Sequence, residues 1–274
     1  MKGNKKISVV MSVYKHDNAK HFRKSVNSLL SQTHMPSEII IVVDGVVNEK
    51  VNEELKYFSN IGIISIIRLK VNQGLSNALN VGINKARYDL IARMDADDIC
   101  FENRFEKQLK YLNDKQLDFV GGQMIEFSKN IGEVISYRNV PLDHDKIINF
   151  MKYRAPFSHP TVLFKKEVFQ KLNGYDTNIF PEDYDFFVRV YLEGFKMGNV
   201  NDNVLWFRLG EDLSAALKRR WGKNYAKNEF KLYKKFVKIG FYSKLDFLKA
   251  VLYKIPLRLI PFPLFKFLYF KILR

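Results

Sequence analysis

Short apolar runs alternate with amphipathic stretches along the first hundred residues. The apolar runs are rich in β-branched residues and have the length of buried strands; they cover residues 7 to 13, 38 to 43, 61 to 69 and 88 to 94. The stretches between them have apolar residues at three- and four-residue spacing, as helices do, and cover residues 19 to 31, 48 to 58 and 75 to 86. This alternation predicts an α/β fold in which a mostly parallel, twisted sheet carries helices on both faces.

The pattern of the remaining residues is mixed. Strands are predicted at residues 119 to 127, 133 to 140, 161 to 164 and 204 to 208, and helices at 142 to 153, 165 to 172 and 182 to 193. From residue 213 onward the pattern predicts helical segments broken by Pro256, Pro261 and Pro263. We therefore expect a body of residues 1 to 212 and a helical C-terminal region of residues 213 to 274.

The ends of the four predicted parallel strands bring polar residues to one edge of the sheet, where ligands of such sheets bind. No glycine-rich dinucleotide fingerprint follows the first strand, and the chain has no P-loop motif, so neither of those nucleotide sites is supported. The polar residues at this edge are Ser12, Tyr14, Asp44, Asn72, Gln73, Gly74, Asp95, Asp97 and Asp98.

Three aspartates follow the fourth strand within four positions. Asp95 and Asp97 are two residues apart, so their side chains face the same way on an extended strand end. Two carboxylates aimed at one point suit a hard divalent cation, Mn²⁺ or Mg²⁺. Alternatively, Asp97 or Asp98 could cap a helix that begins near Phe101. The common edge with Asp44 favours the metal.

A second acidic motif, PEDYD, occupies residues 181 to 185. One of its carboxylates is predicted to be a general base that takes a proton from an acceptor hydroxyl. A proline followed by acids is also typical of an ordinary helix start, because acids are favourable in the first turn. The motif alone leaves both interpretations open.

The positive charge is concentrated at the C-terminal end. Of the net charge of +16, residues 213 to 274 contribute +14, with 16 Lys or Arg against 2 Asp or Glu. Residues 241 to 274 interleave aromatic and basic residues but hold no uncharged apolar run long enough to span a bilayer. This pattern predicts a region that lies on an anionic membrane surface, or alternatively a helix that completes the core. The body has no nucleic-acid motif, so no nucleic-acid partner is expected.

Several single residues also have a structural and a functional interpretation. Cys100 is the only cysteine, which excludes an intramolecular disulfide and predicts a buried, inert thiol. The N-terminus does not resemble a signal peptide, so we expect a cytosolic protein. A single histidine before a proline is more often structural, so His159 is expected to be so; the alternative is that it contacts the diphosphate or the acceptor. Arg219 and Arg220, in the motif KRRWG, could bind phosphate or form a solvated face.

Taken together, the motifs resemble the nucleotide-sugar glycosyltransferases of family 2, with the GT-A fold, and in particular the bacterial enzymes that build capsule, exopolysaccharide and O-antigen. The resemblance covers roughly residues 5 to 222, and its motifs come in family order: ISVVMSVYK, SLLSQT, EIIIVVDG, NQGLSNALNVGI, IARMDADD, SHPTVLFKKEVFQKLNGYD, PEDYDFFVR and RLGEDLSA. It implies a nucleotide-binding half of about residues 1 to 98 and an acceptor half of about residues 99 to 212.

The resemblance also implies roles on the donor side. Ser12, Tyr14 and Asp44 would frame the nucleotide of a UDP-sugar, with Asp44 accepting hydrogen bonds from uracil. The family often has two acids where this chain has Val43 and Asp44, which leaves the nucleotide less certain. Asn72 and Gly74 would lie beside the donor. Asp97 and Asp95 would bind the Mn²⁺ or Mg²⁺ ion, and Asp95 would also hold the ribose or the sugar. Asp98 would contact the donor sugar.

On the acceptor side the resemblance implies Asp183 as the base, with Glu182 beside it, and inversion at the anomeric carbon. The favoured donor is UDP-galactose, with glucose or an N-acetylhexosamine as alternatives. The expected acceptor is an oligosaccharide on a polyprenyl diphosphate at the cytoplasmic face of the inner membrane, where the protein would be peripheral. Two alternatives are a sugar nucleotidyltransferase, although SVYKHDN lacks its glycine-rich basic loop, and a non-catalytic sugar-nucleotide binder.

Overall fold

The computed structural model describes residues 5–210 and 213–269, and it confirms the alternation of strands and helices. The strands are β1 Ile7–Val13, β2 Glu38–Asp44, β3 Ile64–Leu69, β4 Leu90–Asp95, β5 Ile99–Cys100, β6 Phe119–Phe127, β7 Val134–Arg138, β8 Leu163–Lys165 and β9 Met197–Arg208. The helices are α1 Ala19–Leu30, α2 Glu49–Ser59, α3 Leu75–Lys85, α4 Arg104–Asp114, α5 His144–Met151, α6 Lys166–Lys171, α7 Glu182–Leu192, α8 Leu213–Lys218, α9 Lys223–Lys238, α10 Lys244–Leu259 and α11 Phe262–Leu268. The RLGEDLSA residues 211 and 212, and residues 270 to 274 of the C-terminal region, lie outside this description.

Within the described residues the nine strands form one sheet, in the order β3-β2-β1-β4-β8-β6-β9-β5, with β7 paired to β6. The strands β1 to β4 are parallel, as the sequence predicts. Beyond β4 the pairing is mixed, because β8 runs antiparallel to both β4 and β6 while β6 and β9 are parallel. The register places Ser12 of β1 beside Asp95 of β4, so the carboxyl ends of these strands meet at one edge.

The first strands are buried on both faces because helices cover each side of the sheet. Alternate residues of β1 point to opposite faces, so Val9 packs with α1 and α2 while Val10 packs with α3. Phe22 of α1 and Leu79 of α3 are fully buried in these two layers. The sheet edge is thus positioned by a core on each side.

The C-terminal helices α9 and α10 pack against the body. Phe236 of α9 and Tyr242 are buried in the same aromatic cluster as Tyr184 of α7. The interpretation that this region completes the core is therefore confirmed for these helices. Arg258 of α10 also forms an ion pair with the buried Glu229 of α9, with Nε 2.8 Å from Oε2.

The predicted break at Pro256 is wrong. The helix α10 continues through Pro256 to Leu259, although a proline lacks the backbone donor of an ordinary residue. The packing of Val251 and Ile255 against the core and the ion pair of Arg258 hold the chain helical on both sides of it. Across the described residues, the helices are too short or too polar to cross a membrane.

One prediction concerns Gly82, where α3 approaches the sheet. A Cβ atom at Gly82 would lie 2.5 Å from Val10 Cγ1 and 3.0 Å from Val42 Cγ2. Gly82→Ala is therefore expected to lower the free energy of unfolding by about 1 to 3 kcal/mol, despite the better helix propensity of alanine. Urea unfolding measures this change.

The matched control is Gly62→Ala, because a Cβ atom at Gly62 meets nothing within 4 Å. Its stability should stay within about 0.5 kcal/mol of the unchanged protein. A Gly82→Ala protein as stable as this control would contradict the close approach of α3 to β1 and β2.

Candidate active site

Three carboxylates converge where β4 ends. One carboxylate oxygen from each of Asp95, Asp97 and Asp98 lies within 4.8 Å of the others. Asp95 and Asp97 are partly exposed, whereas Asp98 is fully buried. The helix-capping alternative for these aspartates is wrong, because α4 begins only at Arg104 and Asp98 bonds elsewhere.

Arg208, at the end of β9, fixes the shape of the aspartate loop. Its backbone N–H donates to Asp98 Oδ1 over 2.8 Å, and its Nε donates to the carbonyl of Asp97 over 3.0 Å. The second oxygen of Asp98 is buried and has no hydrogen-bond partner among the described residues. Sequence reasoning missed Arg208, since the contact spans 110 positions and only the pairing of β5 with β9 creates it.

The convergence is electrostatically costly. Burial, and then the charge of Asp95, raise the pKa of Asp97 to about 6. Burial raises the pKa of Asp98 well above its ordinary value, with Asp97 and Asp95 adding to the effect. A hard divalent cation prefers a site of this kind, where oxygen ligands lie close together and lack enough neighbouring positive charge. The residues therefore fit Mn²⁺ or Mg²⁺.

Asp17 is a fourth carboxylate of the same site. It lies in the loop after β1, where its Oδ2 accepts from the backbone N–H of Tyr14 over 2.7 Å. Burial raises its pKa to about 7, and the charges of Asp97 and Asp95 add to this rise. Sequence reasoning missed Asp17, although the rule that strand ends carry the site would have included it with Tyr14.

A buried arginine balances part of this charge. Arg93, on β4, places Nη2 2.5 Å from Asp95 Oδ1, and its side chain is only 4% exposed. Its Nε and Nη1 atoms are buried without a hydrogen-bond partner among the residues described. Because Asp95 already has this cationic partner, Asp97 is the carboxylate of the pair with more capacity for a metal ion.

Asp44 organises the loop between β3 and α3. Its carboxylate accepts from Asn72 Nδ2 over 3.0 Å, from the N–H of Gln73 over 2.7 Å and from the N–H of Gly74 over 2.9 Å. A carboxylate offers about four acceptor positions, so about one remains for a ligand. The structure thus brings Asp44, Asn72 and Gly74 together, as the common strand edge predicts.

Tyr14 lies at the same edge and is about one-third exposed. Burial and the charge of Asp17 raise its pKa, while the positive charge of Arg219 lowers it, so Arg219 lies within electrostatic range. Ser12, two residues earlier, sits beside Asp95 in the strand register. The KRRWG segment therefore approaches the edge that holds Ser12 and Tyr14.

The PEDYD motif starts α7, so its interpretation as a helix start is confirmed. Asp183 is partly exposed, and its Oδ1 accepts from the N–H of Tyr184 over 2.8 Å. Glu182 is 8% exposed, and burial followed by the charge of Asp183 raises its pKa to about 7. The charge of Asp95 also raises the pKa of Glu182, so the two acidic motifs lie within electrostatic range of each other. Asp185 is structural, since it pairs with Arg189 and Lys235.

Two other sequence candidates have structural roles. His159 is buried, and its Nε2 lies 2.9 Å from the hydroxyl of Tyr175. Burial, together with the charge of Arg93, holds the pKa of His159 well below its ordinary value. Cys100 is buried, and this burial raises the pKa of its thiol, as expected of a packing residue.

Two bacterial glycosyltransferases are similar to this chain along nearly its whole length. The chain is 31% identical over 268 residues to the amylovoran biosynthesis glycosyltransferase AmsE of Erwinia amylovora, covering 96% of this chain and 98% of that protein. It is 30% identical over 270 residues to the UDP-Gal:alpha-D-GlcNAc-diphosphoundecaprenol beta-1,3-galactosyltransferase of Escherichia coli, covering 98% and 97% of the two chains.

A solved structure has the same fold. The mannosyltransferase PcManGT of Pyrobaculum calidifontis, solved with GDP-Man and Mn²⁺, matches with a TM-score of 0.68 at 15% identity, over 97% of this chain and 75% of that chain. The model of the family described as glycosyl transferase family 2 matches residues 8–172. The alternatives of a nucleotidyltransferase and of a non-catalytic binder are therefore set aside. This chain belongs to glycosyl transferase family 2, and it is a glycosyltransferase with the GT-A fold.

Proposed function

We propose that this protein is an inverting, metal-dependent glycosyltransferase of bacterial surface polysaccharide biosynthesis. It moves a hexose from a UDP-sugar to a saccharide carried on a polyprenyl diphosphate. The observation that carries the proposal is the convergence of the Asp95, Asp97 and Asp98 carboxylates at the carboxyl edge of the parallel strands. The charge of Asp95 also acts on Glu182, at the start of α7. The names of the two relatives support the process, the donor and the acceptor. Galactose is the favoured sugar, ahead of glucose or an N-acetylhexosamine.

Nucleotide binding falls to the first half of the chain. Ser12, Tyr14 and Asp44 frame the nucleotide, and the remaining acceptor position of Asp44 receives a hydrogen bond from uracil. The side chain of Val43 is apolar and fully buried, so it offers the nucleotide base no polar contact. The loop that contains Asn72 and Gly74 lies on the donor side, since its backbone is fixed on Asp44.

Asp97 and Asp95 would hold the Mn²⁺ or Mg²⁺ ion. The resemblance implies that Asp98 contacts the donor sugar, but its side chain is fully buried, so it would act on that side of the site through the shape it gives the aspartate loop. The ion, when bound, supplies positive charge for the diphosphate that leaves. Arg93 keeps Asp95 oriented, and Arg208 keeps Asp97 and Asp98 in place. These contacts preorganise the donor site before substrate arrives.

Asp183 removes the proton from the acceptor hydroxyl. The hydroxyl oxygen then forms a bond to the anomeric carbon on the face opposite UDP, and the bond between that carbon and the UDP oxygen breaks. Glu182, whose pKa is raised to about 7, lies beside Asp183 and faces the acceptor. One transfer therefore inverts the configuration of the sugar.

Asp183→Asn should lower kcat for transfer by about 10² to 10⁴, because the amide cannot accept the proton. Binding of the UDP-sugar should stay close to that of the unchanged enzyme. Transfer is measured with a labelled UDP-sugar and a lipid-linked acceptor, and binding by calorimetry. Asp202→Asn, on the surface and paired with Lys107, is the control. Full activity of Asp183→Asn would refute its role as base.

Asp97→Asn should stabilise the cation-free protein at pH 7 by about 1 to 3 kcal/mol, because it removes an ionised carboxylate whose pKa is raised from 3.8 to about 6. The raised pKa means that the folded state binds the Asp97 proton more tightly than the unfolded state does. The gain in unfolding free energy of Asp97→Asn over the unchanged protein therefore reaches its maximum above pH 6 and disappears as the pH falls toward 4.

The same variant tests the cation. Mn²⁺ should raise the melting temperature of the unchanged protein and of Asp202→Asn, and it should have a much smaller effect on Asp97→Asn. Equal responses to Mn²⁺ in all three proteins would refute Asp97 as a metal ligand. A cation-free Asp97→Asn protein that is less stable than the unchanged one would refute the repulsion between Asp97 and the neighbouring carboxylates.

The C-terminal region gives the protein a surface suited to a membrane. The inner face of α10 packs on the core, yet its outer face is also apolar. Lys249 lies between these outer residues in the sequence, and the region as a whole is strongly basic. We infer that this face lies on the anionic cytoplasmic leaflet of the inner membrane, as a peripheral attachment. The exposed apolar residues on α10 and α11 are Leu245, Leu248, Leu252, Tyr253, Leu259, Leu264 and Phe267.

Point substitutions test this attachment better than removal of residues 241 to 274, since Phe241 and Tyr242 are part of the core. Leu248 and Leu252 are 51% and 61% exposed. Changing both to Gln should weaken binding to vesicles that contain anionic phospholipid by about tenfold or more, as measured by sedimentation. The matched control changes Met35 and Ile131, which are about half exposed, to Gln. Equal vesicle binding by both variants would count against the membrane face.

A further inference from the structure

An arginine cluster lies beside the proposed base and has no part in the mechanism above. Its members are Arg138 at the end of β7, Arg154 after α5 and Arg220 in the KRRWG motif. The three arginines come from segments far apart in the sequence, and the fold brings their charges together. Such a gathering of like charge is costly unless an anion binds there.

The charges of the cluster act on one another. Burial, together with the positive charges of Arg220 and Arg154, lowers the pKa of Arg138 to about 10. Arg138 Nε is buried without a hydrogen-bond partner in the described part of the chain. A buried guanidinium N–H that lacks an acceptor is a site where an anionic oxygen would bind well.

The cluster lies within electrostatic range of Asp183. The negative charge of Asp183 acts on both Arg138 and Arg220. Burial raises the pKa of Asp97, and the arginines that oppose this rise are Arg208 and Arg93. The proposed base and the aspartate cluster thus have different arginines acting on them.

The cluster also adjoins the C-terminal helices. Arg220 Nη1 donates to the hydroxyl of Tyr269 over 2.8 Å, just beyond α11. The residue before Arg154 is Tyr153, whose carbonyl accepts from Lys254 of α10. The arginines therefore adjoin the C-terminal helices and lie within electrostatic range of Asp183. In a lipid-linked acceptor the phosphate groups lie between the lipid and the sugar.

We propose that Arg138, Arg154 and Arg220 form an anion subsite that binds the diphosphate joining the acceptor saccharide to its lipid. This inference rests on the proposed function, in which Asp183 receives the hydroxyl of that same saccharide. Planar guanidinium groups bind phosphate oxygens through paired hydrogen bonds. The subsite holds the first sugar with its hydroxyl toward Asp183, so it makes the diphosphate part of acceptor recognition.

Binding of inorganic pyrophosphate to the full chain tests the subsite directly. With EDTA present, so that no divalent cation contributes, Arg138→Gln and Arg220→Gln should each weaken pyrophosphate binding about tenfold, the loss of one charge-assisted hydrogen bond. Arg220 is exposed, so the second variant remains informative if the first fails to fold. Arg23→Gln, an exposed arginine paired with Glu54 on α2, should bind pyrophosphate normally. Unchanged binding by both cluster variants would overturn the proposal.

Kinetics distinguish the two possible sources of the diphosphate. For an acceptor sugar diphosphate bearing an alkyl chain, both cluster variants should raise the acceptor KM about tenfold or more and leave the KM of the UDP-sugar unchanged. The same sugar as a phosphate-free alkyl glycoside should react equally with all variants. A rise in the KM of the UDP-sugar instead would assign the arginines to the donor and overturn the proposal. Transfer from the UDP-sugar to either acceptor by the unchanged enzyme tests the proposed function separately, so its absence would refute that function while the pyrophosphate result still stands.

Discussion

Repulsion among carboxylates at the end of β4 is the constraint on which the rest of this structure depends. The sheet brings Asp95, Asp97 and Asp98 together, and Asp17 joins them from the loop after β1. The protein supplies only partial compensation, through Arg93 and Arg208, and the proposed cation would supply the remainder. Burial, and then the charge of Asp95, raise the pKa of Asp97 despite these arginines.

The compensation explains much of the surrounding architecture. Arg93 is buried in order to pair with Asp95, and Arg208 at the end of β9 holds the loop that carries Asp97 and Asp98. Asp44 is satisfied separately by the loop before α3, so it does not add to the repulsion. Near Asp183 the uncompensated charge is positive, because Arg138 Nε is buried with no hydrogen-bond partner among the described residues. The proposed site therefore combines an acidic cluster that fits a cation with arginines that fit an anion.

Elements defined by local pattern were predictable from the sequence. The strand Phe119–Phe127 has the bounds that its apolar pattern predicts, and the polar strand ends were correctly expected at one edge. The family and the fold were also predictable, because the motifs of the site follow one another in a fixed order. The separate roles of the site residues stay predictions.

What the sequence could not give depends on contacts between distant residues. The inward position of Asp98 follows from Arg208, and the burial of Arg93 follows from its direction on β4. The continuation of α10 through Pro256 follows from packing and from the ion pair of Arg258 with Glu229, which outweigh the local preference of proline. The arginine cluster beside Asp183 likewise could not be predicted, because Arg138 and Arg220 are far apart in the sequence.

In the proposed mechanism the aspartates form one divalent-cation site that acts together with a nucleotide. Electron paramagnetic resonance of Mn²⁺ titrated into the protein, with and without UDP, tests this site most directly. We expect one bound Mn²⁺ per chain, with an affinity that increases when UDP is present, because the ion then gains diphosphate oxygens as ligands. No bound Mn²⁺ in the presence of UDP, or an affinity that UDP does not change, would contradict it.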